Sequence, residues 1–289
     1  MEITGIQLAK KLALLTRKLR LNERIVYELI VRKILVDYQS SVAYLKQLNP
    51  FLITSTGRTG TTWLANLLNQ IEDTYVVHEP VPQEQYHHVQ ALMYPETAMP
   101  YLRDFRLGEM ALRSRTQNPV RYGEVNSALR RHVIALRQLM PEFTIIHLVR
   151  DGRDFVTSAL NRPTLTPKDK IYGKIKPPSE DITPETWESM DRFTQLCWLW
   201  SYENEYLRKN SHELARFEDI TSSFDLFKTQ ILEPLNLRLD ESIWAEHSQK
   251  PVNATKGTKK ADYSDWTEHQ KQIFWEICGD EMNRYGYLK

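Results

Sequence analysis

The chain has 289 residues, of which 41% are hydrophobic and 26% are charged, a balance typical of a folded globular protein. Its 38 Lys and Arg residues against 37 Asp and Glu residues give a formal net charge of +1, which argues against nucleic-acid binding through overall charge. The two cysteines, Cys197 and Cys278, are too few for a disulfide-rich scaffold or a four-cysteine zinc site.

The first fifty residues are basic and carry apolar residues at helical spacing, which predicts two helices over residues 5–46 with a break near 21–23. The apolar positions are Leu12, Leu15, Leu19, Val26, Leu29, Ile30 and Ile34. Charged residues interrupt every apolar run before the ~20 residues that a membrane span needs, so we expect a cytoplasmic protein. We favour a helical extension, residues 1–49, that packs on a domain over 50–289, and contact of these helices with a membrane surface stays open.

Strands and helices are predicted to alternate along the rest of the chain. The predicted strands span residues 51–54, 74–77, 122–126, 143–149 and 214–217. The predicted helices include 61–70, 84–93, 98–114, one ending at 139, one beginning at 155 and a long one over 183–210. This alternation predicts an α/β fold with a central, mostly parallel sheet covered on both faces.

Candidate binding residues follow four of the predicted strands. They are the segment 55–62, the pair His78 and Glu79, Asn126, and Arg150. Ligands of parallel sheets bind beyond the carboxyl ends of the strands, so we expect these residues to share one site.

The segment Ser55-Thr-Gly-Arg-Thr-Gly-Thr-Thr62 lies between a strand and a helix, a pattern that favours an anion-binding turn. Its glycines allow backbone N–H groups to converge, the helix N-terminus adds partial positive charge, and Arg58 adds a cation. The Gly-x4-Gly-Lys-Ser/Thr pattern of nucleoside triphosphate loops is missing, which disfavours magnesium-dependent chemistry. A turn without a ligand is the alternative.

The segment Ser55–Trp63 resembles the 5′-phosphosulfate loop of sulfotransferases that use 3′-phosphoadenosine 5′-phosphosulfate (PAPS). Three further segments resemble that family in the same order: His147–Ser158, with Arg150 and Ser158 eight residues apart; Arg216–Ile220; and Lys256-Gly257 followed by Trp266. The resemblance runs from about residue 50 to the C-terminus and implies a P-loop-like three-layer α/β/α fold.

The resemblance also implies which residues bind PAPS and its product, 3′-phosphoadenosine 5′-phosphate (PAP). These residues are Gly57, Arg58, Thr59, Gly60, Thr61, Thr62, Trp63, Arg150, Ser158, Phe217, Lys256 and Gly257. Phe217 replaces the usual tyrosine of the family and lacks its hydroxyl. No metal is expected, because positioning and electrostatics carry this type of transfer.

The implied reaction moves a sulfuryl group to an acceptor hydroxyl, with Arg58 stabilising the leaving oxygen. Glu79 matches the glutamate that tyrosylprotein sulfotransferases use as general base, and Glu124 is the second candidate. His78 and Asn126 are the candidate substrate-binding residues.

Glu79-Pro80 and the segment 122–126 resemble features of carbohydrate sulfotransferases, and this resemblance implies a carbohydrate, lipid-linked or other small-molecule acceptor. The sequence leaves two other functions open: a small-molecule or nucleotide kinase, and a non-catalytic nucleotide-binding protein. It gives no oligomeric state.

Overall fold

A computed structural model of the chain describes residues 5–16, 22–35, 37–177, 182–248 and 262–287. Within these ranges five strands form one sheet in the order β2-β3-β1-β4-β5, and every neighbouring pair is parallel. The strands are β1 Phe51–Thr54, β2 Thr74–His78, β3 Arg121–Val125, β4 Thr144–Val149 and β5 Glu213–Arg216. The predicted α/β fold with a parallel sheet is therefore confirmed.

Helices precede, connect and follow the strands. They are α1 Gly5–Thr16, α2 Glu23–Arg32, α3 Tyr38–Gln47, α4 Thr61–Leu68, α5 Gln85–Met93, α6 Ala98–Tyr101, α7 Leu107–Arg115, α8 Val133–Leu139, α9 Gly152–Leu160, α10 Pro184–Ser189, α11 Arg192–Asn210, α12 Phe217–Ser222, α13 Phe224–Phe227, α14 Glu233–Leu235, α15 Glu241–Ser248 and α16 Glu268–Arg284. A π-helical turn, Leu102–Arg106, joins α6 to α7, and a 3-10 helix, Ser127–His132, precedes α8.

Two predicted helices are each divided in the structure. The described part of residues 5–47 contains three helices rather than two, because Asp37 caps α3 by accepting a hydrogen bond from the Ser40 amide. The predicted helix over 183–210 is α10 followed by α11, and the Asp191 side chain caps α11 by accepting from Thr194. Both missed breaks carry an aspartate N-cap, which is a strong helix-start signal.

The sheet separates two apolar layers because successive residues of a strand face opposite sides. On one side, Leu52 and Ile145 pack in a buried cluster with residues of α3, α7 and α8. On the other side, Ile53 and Ile146 pack with α4. A third cluster joins α9, α11 and α16 beside the end of β4. The result is the three-layer arrangement that fixes the strand ends relative to one another.

The N-terminal helices contribute to the first of these clusters. Ile6, Ala9, Tyr27 and Val31 are buried there, which supports packing of this segment on the sheet domain. The predicted apolar stripe is wrong in part, because Leu12 and Leu29 are exposed. Among the described helices, none combines the length and apolar character that crossing a membrane requires.

We expect the free energy of unfolding to decrease as the pH falls from about 6.5 towards 4, in part through His147. This side chain is buried in β4, its Nε2 lies 2.9 Å from Asn204 Oδ1, and burial lowers its pKa to about 4. The unfolded chain binds the proton near pH 6.5, so acid favours unfolding by roughly 3 kcal/mol at this position. Urea unfolding at pH 7 and 4.5 should show a weaker pH dependence in His147→Gln; an equal dependence in both proteins would contradict the assignment.

Candidate active site

The candidate residues lie where the topology of the sheet changes direction. The chain leaves β1 for β2 and β3 on one side and then crosses to β4 on the other. Ligands of parallel sheets bind at this kind of switch point. Ser55, Glu79, Asn126 and Arg150 directly follow the carboxyl ends of β1, β2, β3 and β4, respectively.

The loop between β1 and α4 has an unusual backbone conformation. Gly57, Arg58 and Gly60 have φ angles of 84°, 59° and 67°. A Cβ atom at Gly60 would lie 2.3 Å from the Phe217 ring, so glycine is required there both by conformation and by space. The Ser55 hydroxyl accepts from the Gly57 amide at 3.1 Å and from the Thr59 hydroxyl at 2.7 Å. Such a turn before a helix N-terminus presents amide donors to an anion.

The hydroxyl and indole groups that follow the loop differ in their surroundings. Thr61 Oγ1 lies 2.9 Å from Nε2 of His78, and Thr62 is half-buried in the first turn of α4. Trp63 is buried, packs edge-on against Phe217 and donates its indole N–H to the carbonyl of His247 at 3.1 Å. The tryptophan therefore connects the loop to α12 and α15.

Three predicted nucleotide-binding residues meet beside the loop. Arg58 donates from Nε to the Ser158 hydroxyl at 3.0 Å, and Arg150 donates from Nη1 to the Arg58 carbonyl at 2.7 Å. The other Arg150 terminus pairs with Asp154 at 2.7 Å. Partial desolvation lowers the pKa of the Arg58 guanidinium, and the positive charges of Arg162 and Arg150 lower it further. Mutual repulsion between these cations is relieved when an anion binds among them.

The segment Arg216–Ile220 supports this region through its side chains. The Phe217 ring lies under the Arg150 guanidinium, whose centre is 5.2 Å from the ring centroid. Glu218 accepts from the Asp151 amide at 3.1 Å and from the Tyr287 hydroxyl at 2.6 Å. Sequence reasoning did not single out Glu218, which holds the turn that directly follows Arg150.

Glu79 lies on the opposite side of the loop, at the end of β2. Its φ of 40° is uncommon for a residue with a side chain and indicates a constrained position. The half-buried carboxylate accepts from Gln85 Nε2 at 3.0 Å and from the Ser127 hydroxyl. The same hydroxyl oxygen is 3.7 Å from the place that a Cβ of Gly57 would occupy, so Ser127 lies between the loop and Glu79.

The structure places Glu124 and Asn126 below the site, in a fully buried network around Arg106. Both Glu124 oxygens accept from Arg106 Nη2, at 2.7 and 2.6 Å, and Tyr122 donates to the same carboxylate at 2.5 Å. Burial raises the pKa of Glu124, and the positive charge of Arg106 opposes this effect. Asn126 donates to Glu84 at 2.8 Å and to Glu124 at 3.0 Å.

This network was not predicted from the sequence. Arg106 also pairs with Glu84 at 2.6 Å and with Glu109 at 2.5 Å, so one buried cation contacts three carboxylates. Such groups are stable in the interior only when paired, because an unpaired buried charge is costly. Glu84, Arg106 and Glu109 fall within the predicted helices 84–93 and 98–114, but a helical pattern does not show that these side chains converge with Glu124 in space.

Two predicted residues cannot be placed. Lys256 and Gly257 lie outside the described residues. Trp266, downstream of them, packs against Phe193 and Phe274 in the cluster around α9, α11 and α16. In the part of the chain that the structure describes, no group of three or more His, Cys, Asp or Glu side chains could hold a metal ion.

Comparison with known proteins identifies the family. The sequence model described as Sulfotransferase domain matches residues 48–207, more than half of the chain. The chain therefore belongs to the sulfotransferase family, and it is a sulfotransferase enzyme. No curated protein sequence matches it significantly.

Solved structures with a similar fold include sulfotransferase STF1 from Mycobacterium tuberculosis, with 14% identity and a TM-score of 0.51 over 96% of this chain and 88% of that one. Sulfotransferase STF9 from Mycobacterium avium has 11% identity and a TM-score of 0.51 over 92% and 86% of the two chains. Mouse sulfotransferase SULT7A1, solved in complex with PAP, has 13% identity and a TM-score of 0.46 over 85% and 89%. At these identities the first two share the fold with this chain.

Proposed function

We propose that this sulfotransferase transfers the sulfuryl group of PAPS to a hydroxyl of a carbohydrate, lipid-linked or other small-molecule acceptor, with Glu79 as general base. The observation that carries the proposal is the meeting of Arg58, Arg150 and Ser158 beside a glycine-rich anion loop. Glu79 is joined to the same loop through Ser127. The cations Arg58 and Arg150 and the carboxylate of Glu79 thus lie around the same loop at the edge of the sheet.

The residues around the loop suit a nucleotide with two anionic groups. Arg150 Nε is buried without a hydrogen-bond partner among the described residues, and Arg58 lies among like charges that an anion would neutralise. The loop 57–62 is proposed to bind the 5′-phosphosulfate. Arg150 and Ser158 are proposed to bind the 3′-phosphate, because a guanidinium and a hydroxyl suit a phosphate monoester. When bound, PAPS supplies the sulfuryl group for transfer.

The aromatic pair and the C-terminal loop complete the proposed nucleotide site. Trp63 and Phe217 adjoin the anion loop; the Phe217 ring is half-buried beside Gly60, and the buried Trp63 packs edge-on against it. Lys256 and Gly257 are proposed to bind the nucleotide on the strength of the family pattern alone.

Glu79 is preferred over Glu124 as the base because of what surrounds each carboxylate. A general base must reach the acceptor hydroxyl directly or through one water. Glu79 is half-buried at the sheet edge, whereas Glu124 is fully buried and bound by Arg106 and Tyr122. We therefore assign proton abstraction to Glu79, and leaving-oxygen stabilisation to Arg58, which is exposed beside the loop.

The proposal is tested by an acceptor screen with PAPS carrying radioactive sulfur. The panel contains monosaccharides, glycolipid head groups, simple phenols, long-chain alcohols and water alone, with Arg58→Ala as the blank. We expect label transfer to at least one organic hydroxyl and loss of transfer in the blank. Binding of ATP with magnesium in preference to PAPS, or PAP binding without transfer to any member of the panel, would contradict the proposal.

A further inference from the structure

We propose that Ser127 is a positioning residue for sulfuryl transfer, whose hydroxyl holds the Glu79 carboxylate towards the anion loop. This inference rests on the proposed function, in which Glu79 is the base. Ser127 is buried and donates its hydroxyl to one Glu79 oxygen, while Gln85 Nε2 binds the other oxygen at 3.0 Å. With a donor on each oxygen, the carboxylate is restricted to one orientation.

The backbone alone does not fix the orientation of the Glu79 carboxylate, so side-chain contacts must do so. Glu79 has a φ of 40°, which few residues with side chains adopt without compensating contacts. A free glutamate side chain would sample several rotamers, and a base that is misplaced by about 1 Å loses much of its effect. The two hydrogen bonds hold the side chain in one rotamer, in which one carboxylate oxygen is bound by Ser127 beside the loop.

Ser127 is itself fixed by the chain around it. The Asn126 side-chain oxygen accepts from the Ala128 amide at 3.0 Å and starts the turn that contains Ser127. Arg130 donates from Nη1 to the Ser127 carbonyl at 2.7 Å, and Arg130 is buried against Glu203. The Asn126 amide is in turn held by two carboxylates of the Arg106 network. The buried network therefore determines where the Ser127 hydroxyl lies.

Ser127 also sets the position of Glu79 relative to the loop. Its hydroxyl oxygen lies 3.7 Å from the position that a Cβ atom at Gly57 would occupy, so Ser127 is the side chain beside this part of the loop. One side chain thus lies beside the anion loop and binds the proposed base. A change at Ser127 should alter the chemical step while the nucleotide contacts of Arg58 and Arg150 remain.

The test measures transfer from labelled PAPS to the fastest acceptor of the panel, and to water, in Ser127→Ala, Ser127→Thr, Glu79→Gln and the Ser127→Ala/Glu79→Gln double variant. We expect Ser127→Ala to lower kcat by about 10-fold, the value of one hydrogen bond to a charged group, with KM for PAPS and Kd for PAP unchanged. Ser127→Thr should restore most of the activity. In the Glu79→Gln background, Ser127→Ala should cause little further loss, because residues that act through one another are not additive.

Ser114→Ala is the matched control, since Ser114 is a buried serine of α7 whose hydroxyl donates to the backbone carbonyls of Met110 and Ala111. It should leave kcat unchanged. The inference is overturned if Ser127→Ala retains wild-type kcat, or if the substitution lowers kcat by the same factor in the wild-type and Glu79→Gln backgrounds. It is also overturned if Ser127→Ala weakens PAP binding by the same factor as it lowers kcat. If Glu79→Gln keeps wild-type turnover, both the assignment of Glu79 as base and this inference are wrong. If Glu79→Gln is inactive and Ser127→Ala is fully active, Glu79 remains the proposed base and the role of Ser127 is rejected.

Discussion

Glu79→Gln is expected to lower turnover by about 100-fold or more, the usual scale for loss of a general base. The amide is nearly isosteric with the carboxylate and can still contact Ser127 and Gln85, but it cannot take the proton of the acceptor hydroxyl. Steady-state transfer from labelled PAPS gives kcat, and PAP titration shows whether the nucleotide site is intact. We expect PAP affinity to change little.

Glu124→Gln is the comparison that separates the two candidate bases. Near wild-type turnover in Glu79→Gln together with a folded but inactive Glu124→Gln would move the base to Glu124. The second variant removes a charge that balances Arg106, so its folding must be measured first by thermal unfolding. If Glu124→Gln does not fold, Glu124 is required for the stability of the buried network. The turnover of Glu79→Gln then decides whether Glu79 is the general base.

The parts of the site that were predictable from sequence are those encoded locally. The turn 55–62 carries its glycines, hydroxyls and cation within eight residues, directly between a strand and a helix. Arg150 and Ser158 are likewise set by a strand end and the helix that follows it. Local sequence determines such conformations, so the pattern indicates both the element and the chemistry.

The two candidate glutamates show where the sequence was insufficient. Glu79 directly follows β2 and Glu124 lies one residue before the end of β3, so the sequence places both carboxylates near the same edge of the sheet. They differ in what packs over them, since Arg106 reaches Glu124 from a turn that is eighteen residues away in the chain. Tertiary packing alone decides that one carboxylate is an internal counter-ion and the other lies at the sheet edge.

Support residues were missed for the same reason. Ser127 is an ordinary residue type with no distinctive spacing, and Glu218 lies in the segment Arg216–Ile220, whose pattern does not reveal the role of this side chain. Each acts through a partner 48 or more residues distant in sequence. Helix caps such as Asp37 and Asp191 were recoverable, because an aspartate before a helical pattern is a local signal. Sequence reasoning therefore identified the residues proposed to contact the nucleotide better than those that hold them in place.

Arg150→Ala is expected to weaken PAP binding by about 30- to 100-fold, the loss of a charge-assisted pair of hydrogen bonds to a phosphate. Calorimetric titration with PAP and with adenosine 5′-monophosphate, which lacks the 3′-phosphate, identifies the group that Arg150 binds. If Arg150 binds the 3′-phosphate, PAP loses affinity and the monophosphate does not. Equal losses for both nucleotides would instead assign Arg150 to support of the loop through the Arg58 carbonyl.

Arg153→Ala is the matched control for this experiment, because Arg153 lies in the same segment and pairs with Asp151 at 2.6 Å. It should leave PAP affinity within about 2-fold of wild type, since a partly exposed ion pair contributes little.

Asp154→Asn removes the ion-pair partner of Arg150 instead of Arg150 itself. Asp154 pairs with one Arg150 terminus at 2.7 Å, so the substitution should tighten PAP binding or leave it unchanged. Weaker binding in Asp154→Asn would mean that the ion pair orients Arg150 for the phosphate rather than competing with it.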